Sequence, residues 1–217
     1  MKLILTIQWV TGLLLALISP ACKIMLYNLE FIQLLETNYV VDPDIQQRMI
    51  NTVLSQKNTA NYYGGYTFHI KDEYEDFKNL YNYFLKSVET VTGPLIIAPR
   101  SKSWCWANVY NRHNFKTNLH DHIATCSINA IYYLKMPNKL ETGEGGLRIV
   151  DKHNNALLEY YPSEFDLIIM PSDTPHEPLY HSSNDYRISI NMELCTMLPV
   201  SAYYTESNIY KNAQPGI

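Results

Sequence analysis

The chain has 217 residues and is 47% hydrophobic, enough for one sizeable core and too little for two. Its formal net charge of −4 excludes the basic footprint that non-specific nucleic-acid binding requires. Its four cysteines, Cys22, Cys105, Cys126 and Cys195, include no CxxC pair, which excludes a thiolate zinc site and a dense disulfide framework and points to a reducing, cytoplasmic setting.

The first element in chain order is apolar. Lys2 precedes LILTIQWVTGLLLALIS and then PAC, the layout of a signal peptide or a short membrane anchor. The run over residues 3–19 is at the short limit for crossing a bilayer and is interrupted by Gln8 and Gly12. Translation from Met25 is the alternative. Under either reading residues 1–24 stand outside the fold, and residues 25–217 form a single domain. Cleavage of the segment would make the protein secreted, and retention of residues 3–19 as an anchor is its route to a membrane.

Asp42 and Pro43 supply an N-cap and a first helical residue for a helix over residues 42–58, with Ile45, Met49, Val53 and Leu54 at helical spacing. A second helix over residues 72–92 carries one apolar stripe, Tyr74, Phe77, Leu80, Tyr81, Phe84, Val88 and Val91, and Gly93-Pro94 stops it. Each stripe predicts packing on a core.

From about residue 95 the period falls to two. SWCWANVY, SINAIYYL, GLRIVD, ALLEYY, FDLIIM and YRISINMEL read as short strands, punctuated by Pro137-Asn138, Thr142-Gly143 and Pro171-Ser172. Helices followed by many short strands predict an α+β fold. Its core is a jelly-roll or barrel-like sandwich with the N-terminal helices packed on one face. Such a double sheet is open at one end and can hold a small ligand between its layers.

Two of the seven histidines flank an aspartate in LHDHI. Alternation places His120 and His122 on one face and Asp121 on the other. The pair alone suits a metal site or two exposed strand-end histidines equally. His176, in MPSDTPHEP after an apolar strand, adds a third imidazole. Along YRISINMEL, Arg187, Ser189 and Asn191 share the inward face, where an unpaired guanidinium is costly and a ligand carboxylate would satisfy it. His181 is expected to be solvated, because six residues leave too little chain to turn and regain the face of Arg187. His69, His113 and His153 read as surface residues, and Trp104 and Trp106 as core aromatics.

Taken in order, His-x-His, the tyrosine-rich AIYYL, GEGGLRI, PSDTPHE and Arg-x-Ser span roughly residues 102–195. This order resembles the non-haem Fe(II), 2-oxoglutarate-dependent dioxygenases, most nearly the prolyl-hydroxylase-like branch. The resemblance implies a double-stranded β-helix (jelly-roll) core at about residues 102–195. It implies Fe(II) held by His120, His176 and His122, the last standing where the family has an aspartate. Arg187, with Ser189 beside it, would pair with the distal carboxylate of 2-oxoglutarate; Tyr133 would hydrogen-bond that carboxylate, and Tyr110 would line the same pocket.

The implied reaction uses 2-oxoglutarate and O2, with ascorbate as an accessory reductant, to hydroxylate a C–H bond of an unidentified, peptidyl or small-molecule substrate. Entry is expected through loops at residues 60–70 and 111–119. A neutral third ligand would weaken iron binding and admit other divalent metals. Two alternatives remain open on the residues. One is a three-histidine cupin-type dioxygenase without 2-oxoglutarate, in which Arg187 binds the substrate's own carboxylate. The other is a jelly-roll binding protein that keeps the pocket without turnover.

Overall fold

Asp42 caps the first helix as its sequence dictates: its side chain accepts the Ile45 N–H at 2.9 Å, and Pro43 occupies the first turn. The computed structural model describes residues 25–29, 32–56, 61–62, 65–69, 74–97, 105–113, 119–124, 126–151, 153 and 155–196. Helix α1 spans Pro43–Ser55 and buries Met49, Ile50 and Val53. Helix α2 spans Glu75–Thr92 and buries Phe77, Leu80, Tyr81, Phe84 and Val88. It ends at Gly93, whose φ of 77° is left-handed backbone that glycine adopts without strain.

Eleven described strands form two antiparallel sheets. They are β1 (Met25–Leu29), β2 (Ile32–Asn38), β3 (Asn61–Tyr62), β4 (Gly65–His69), β5 (Cys105–Tyr110), β6 (Ile128–Lys135), β7 (Leu147–Val150), β8 (Ala156–Tyr160), β9 (Asp166–Pro171), β10 (His176–Pro178) and β11 (Arg187–Leu194). The large sheet runs β1-β2-β9-β6-β11-β5-β4-β3 and the small sheet β10-β7-β8.

The helices cover one face of the large sheet. Their apolar stripes meet Ile128, Ala130, Tyr132 and Leu134 of β6 and Ile188, Ile190, Met192 and Leu194 of β11, all buried. Each fully buried side chain of this kind contributes about 1.5–3 kcal/mol. On the opposite face Leu34, Ile131, Tyr133, Ile168 and Met170 meet Leu147, Ile149 and Tyr160 of the small sheet. The predicted combination of antiparallel sheets with two helices is present.

Two expectations need correction. Met25–Leu29 and Ile32–Asn38 carry no strand prediction yet form β1 and β2. Leu34, Leu35, Glu36 and Thr37 of β2 are all buried, so this strand lies covered on both faces and shows no alternation to read. The expected entry loop at residues 60–70 instead contains β3 and β4, with β4 pairing along β5. Residues 114–118 of the second expected loop lie outside the described residues, as do residues 1–24 and Trp104. No helix among the described residues is long and apolar enough to cross a membrane.

Candidate active site

The segment LHDHI is not a regular strand. Its backbone ties the two sheets together through separate hydrogen bonds. His120 exchanges both backbone bonds with His176 of β10, at 3.1 and 2.9 Å, while the His122 N–H donates to the Ser172 carbonyl at 2.7 Å beyond β9. The expected parity survives this change. His120 and His122 point to one place, whereas Asp121 is exposed and accepts the Ile123 N–H at 3.3 Å.

His176 completes the group. One ligand nitrogen from each of His120, His122 and His176 lies within 4.8 Å of the others. The ring centroids are 4.5 Å apart for His120 and His176, 5.1 Å for His120 and His122, and 5.3 Å for His122 and His176. His120 is the most accessible of the three.

Two tautomers are fixed by the surroundings. His176 Nδ1–H donates to the Thr174 carbonyl at 2.9 Å, leaving the buried Nε2 lone pair without a hydrogen-bond partner among the described residues. His122 Nδ1–H donates to Oε1 of Glu193 at 3.0 Å, which leaves Nε2 as the atom that could bind a metal. Burial, then the neighbouring His120 and His122, pushes the His176 pKa down to about 3, so its ring is a neutral donor at physiological pH. Three imidazoles, two with an outer hydrogen bond in place, form a donor set that fits one divalent cation.

The second half of the site is built on β11 and the strands paired with it. Arg187 is 1% exposed and forms no salt bridge with any described acid. Its Nη1 donates to the Gly146 carbonyl at 3.1 Å, and its Nε meets no acceptor among the described residues. Gly146 has no room for a side chain, since an added Cβ would sit 2.7 Å from the Tyr160 carbonyl oxygen.

Tyr133 places its ring centroid 5.3 Å from the guanidinium carbon, and its hydroxyl meets no acceptor among the described residues. Burial pushes its pKa up to about 12 against the opposing pull of Arg187, so the hydroxyl remains a donor. Tyr110 is the cross-strand partner of Arg187 and is also buried, which raises its pKa. Ser189 pairs in register with Tyr133 and is buried beside it. A buried cation flanked by hydroxyl donors, with no acid among the described residues to neutralise it, could receive a carboxylate.

His181 is not solvated. It is fully buried, and burial followed by nearby Arg187 lowers its pKa. The reason is local: Leu179 N–H bonds the Gly146 carbonyl at 2.8 Å and Gly145 N–H bonds the Tyr180 carbonyl at 2.9 Å, folding the loop inward. His113 and His153 are exposed as expected, while Trp106 is half-buried with its ring 5.7 Å from that of His122. Sequence reasoning also misses Glu193, although it shares the parity of Arg187, Ser189 and Asn191.

No family model and no curated protein matches the sequence. Solved structures match the fold. A Pseudomonas putida prolyl-4-hydroxylase aligns with a TM-score of 0.52 at 13% identity, over 74% of this chain and 91% of that one. A Trichoplax adhaerens prolyl hydroxylase, solved in complex with a hypoxia-inducible-factor oxygen degradation domain peptide fragment, gives 0.57 at 18% identity over 74% and 82%. The viral collagen prolyl hydroxylase of Paramecium bursaria Chlorella virus-1, solved with 2-oxoglutarate, gives 0.50 at 14% identity over 74% and 94%. The chain shares the fold of these prolyl hydroxylases.

Proposed function

We propose that this protein is an Fe(II)- and 2-oxoglutarate-dependent oxygenase with a double-stranded β-helix core and a three-histidine centre, hydroxylating a C–H bond of a peptidyl substrate. The supporting observation is the pairing of two features on one face of a prolyl-hydroxylase fold. One is the cluster of His120, His122 and His176; the other is the buried Arg187, which no described acid neutralises. A three-histidine site that used no 2-oxo acid would leave that guanidinium to the substrate's own carboxylate.

His120, His122 and His176 would hold the metal through neutral nitrogens. Iron bound there would supply O2 activation coupled to decarboxylation of 2-oxoglutarate, so that RH, O2 and 2-oxoglutarate would give ROH, succinate and CO2. Arg187 would bind the distal carboxylate in a bidentate pair, with Tyr133 and Tyr110 donating hydroxyl hydrogens and Ser189 alongside. Burial of these groups strengthens the contact and keeps water from competing for it. Arg187 and Ser189 lie on β11, Tyr133 on β6 and Tyr110 on β5, so a dicarboxylate held by them would have its distal end at Arg187 and its 2-oxo acid end toward the histidines. The peptidyl substrate class follows the likeness to prolyl hydroxylases, one of them solved with a peptide.

The test is anaerobic calorimetry on protein expressed from Met25 and loaded with Fe(II), followed by succinate release in air. Micromolar 2-oxoglutarate binding that Arg187→Met abolishes is the expected result. Iron-loaded protein that binds no 2-oxoglutarate would sink the reading.

A further inference from the structure

Three imidazoles leave a bound divalent cation with its full charge, whereas an aspartate at position 122 would neutralise part of it. A carboxylate nevertheless stands directly behind His122. Glu193 accepts the His122 Nδ1–H at 3.0 Å, and both side chains are 9% exposed.

Neither partner depends on a metal for its position. Glu193 lies on the cavity face of β11 by parity with Arg187, Ser189 and Asn191, opposite Asn129 of β6. Its carbonyl accepts the Tyr81 hydroxyl of α2 at 3.0 Å, anchoring the strand from the helix side. His122 is held by its backbone bond to Ser172 and by the Trp106 ring. The contrast with His176 is chemical: its Nδ1–H meets a neutral carbonyl, so of these two ligands only His122 has an anion behind it.

We propose that Glu193 is the positioning carboxylate of this centre. It holds His122 as the Nδ1–H tautomer with Nε2 facing the metal. It also carries, one group removed from the ion, the negative charge that a carboxylate ligand would bring directly. An imidazole hydrogen-bonded to a carboxylate is the more basic ligand, which offsets the loss of an anionic one. This inference rests on the metal reading of the histidine cluster made above.

The test measures Fe(II) binding itself by anaerobic titration calorimetry, independently of turnover. Glu193→Gln keeps the shape and a hydrogen-bond acceptor but removes the charge; it should weaken Fe(II) binding by about 10- to 100-fold while the melting temperature of the metal-free protein does not fall. Adding His122→Asp to Glu193→Gln returns the charge to the ligand and should bring affinity back to within about threefold of the starting protein. A merely structural glutamate would show neither the selective loss nor the recovery. Should Glu193→Gln fail to fold, nitrogen chemical shifts of the unsubstituted protein loaded with Zn(II) decide instead, and a His122 ring protonated on Nε2 overturns the proposal. If Glu193→Gln binds Fe(II) within about twofold of the unsubstituted protein, the proposal falls while the metal reading stands. If the unsubstituted protein binds no more Fe(II) than His176→Ala does, both fall together.

Discussion

Strand β11 contributes to both faces of the large sheet, and the two faces follow opposite rules. Ile188, Ile190, Met192 and Leu194 go under the helices, where they meet Leu80, Phe84 and other apolar groups. Arg187, Ser189, Asn191 and Glu193 go toward the small sheet, so a guanidinium and a carboxylate are buried on one face of a single strand. The first face lowers the free energy of folding through apolar burial. The second raises it, because buried polar atoms such as Nε of Arg187, Nε2 of His176 and the Tyr133 hydroxyl have no hydrogen-bond partner among the described residues. Strand parity thus separates the apolar residues that hold the fold from polar residues whose burial costs stability.

Truncation on the helix side should give the largest loss of stability. Phe84→Ala removes a fully buried ring that lies 5.6 Å from Tyr81 and should cost about 3–5 kcal/mol in urea unfolding, while the folded fraction keeps its affinity for 2-oxoglutarate. Arg187→Met should do the reverse. It removes the cation that a bound carboxylate needs, for a loss of about 2–5 kcal/mol in 2-oxoglutarate affinity by calorimetry. Without ligand its unfolding midpoint should hold or rise, since a buried charge that no described acid neutralises has gone. A ligand-free Arg187→Met as unstable as Phe84→Ala would break the separation of the faces.

Acid sharpens the same contrast. The folded His176 has its pKa near 3 against 6.5 for the free side chain, chiefly through burial. Between these values the unfolded chain takes up a proton that the folded ring refuses. The contribution of a neutral His176 is therefore complete above about pH 6.5 and is lost progressively as pH falls toward 3, reaching a few kcal/mol on the order of the shift. Urea midpoints of the metal-free protein at pH 7, 5 and 4 measure this. His176→Gln should flatten that part of the pH dependence, whereas Phe84→Ala should shift the whole curve down without changing its slope.

What the sequence reveals follows the same division. The helices are legible because Asp42, Pro43 and Gly93 mark their ends chemically, and the later strands because they alternate or are short apolar runs between turns. The pair β1 and β2 is not, since Leu34 and Leu35 are adjacent and both buried, on opposite faces. At the site, His120, His122, His176 and Arg187 can be picked out by order and parity. Glu193 satisfies the same parity but stands at the end of the strand, where only its contact with His122 gives it meaning. The burial of His181 is beyond spacing arguments, because it depends on loop hydrogen bonds to Gly145 and Gly146.

The smallest expected effect comes from the other cross-strand arginine. Arg148 lies on β7, pairs in register with Glu177 and Glu159, and bonds their carboxylates at 2.9 and 3.1 Å with its side chain 38% exposed. Solvent already stabilises these charges, so Arg148→Gln should cost at most about 1 kcal/mol, and less in high salt. Glu177 directly follows His176, yet alternation turns it to the opposite face of β10, where it meets Arg148 and not the histidine cluster. Fe(II) affinity of Arg148→Gln should therefore stay within about twofold of the starting value, although the substitution removes a charge bonded to the residue next to a ligand. A larger change would mean that β10 transmits strain between its faces, and that parity alone does not insulate the site from the outer surface of the sandwich.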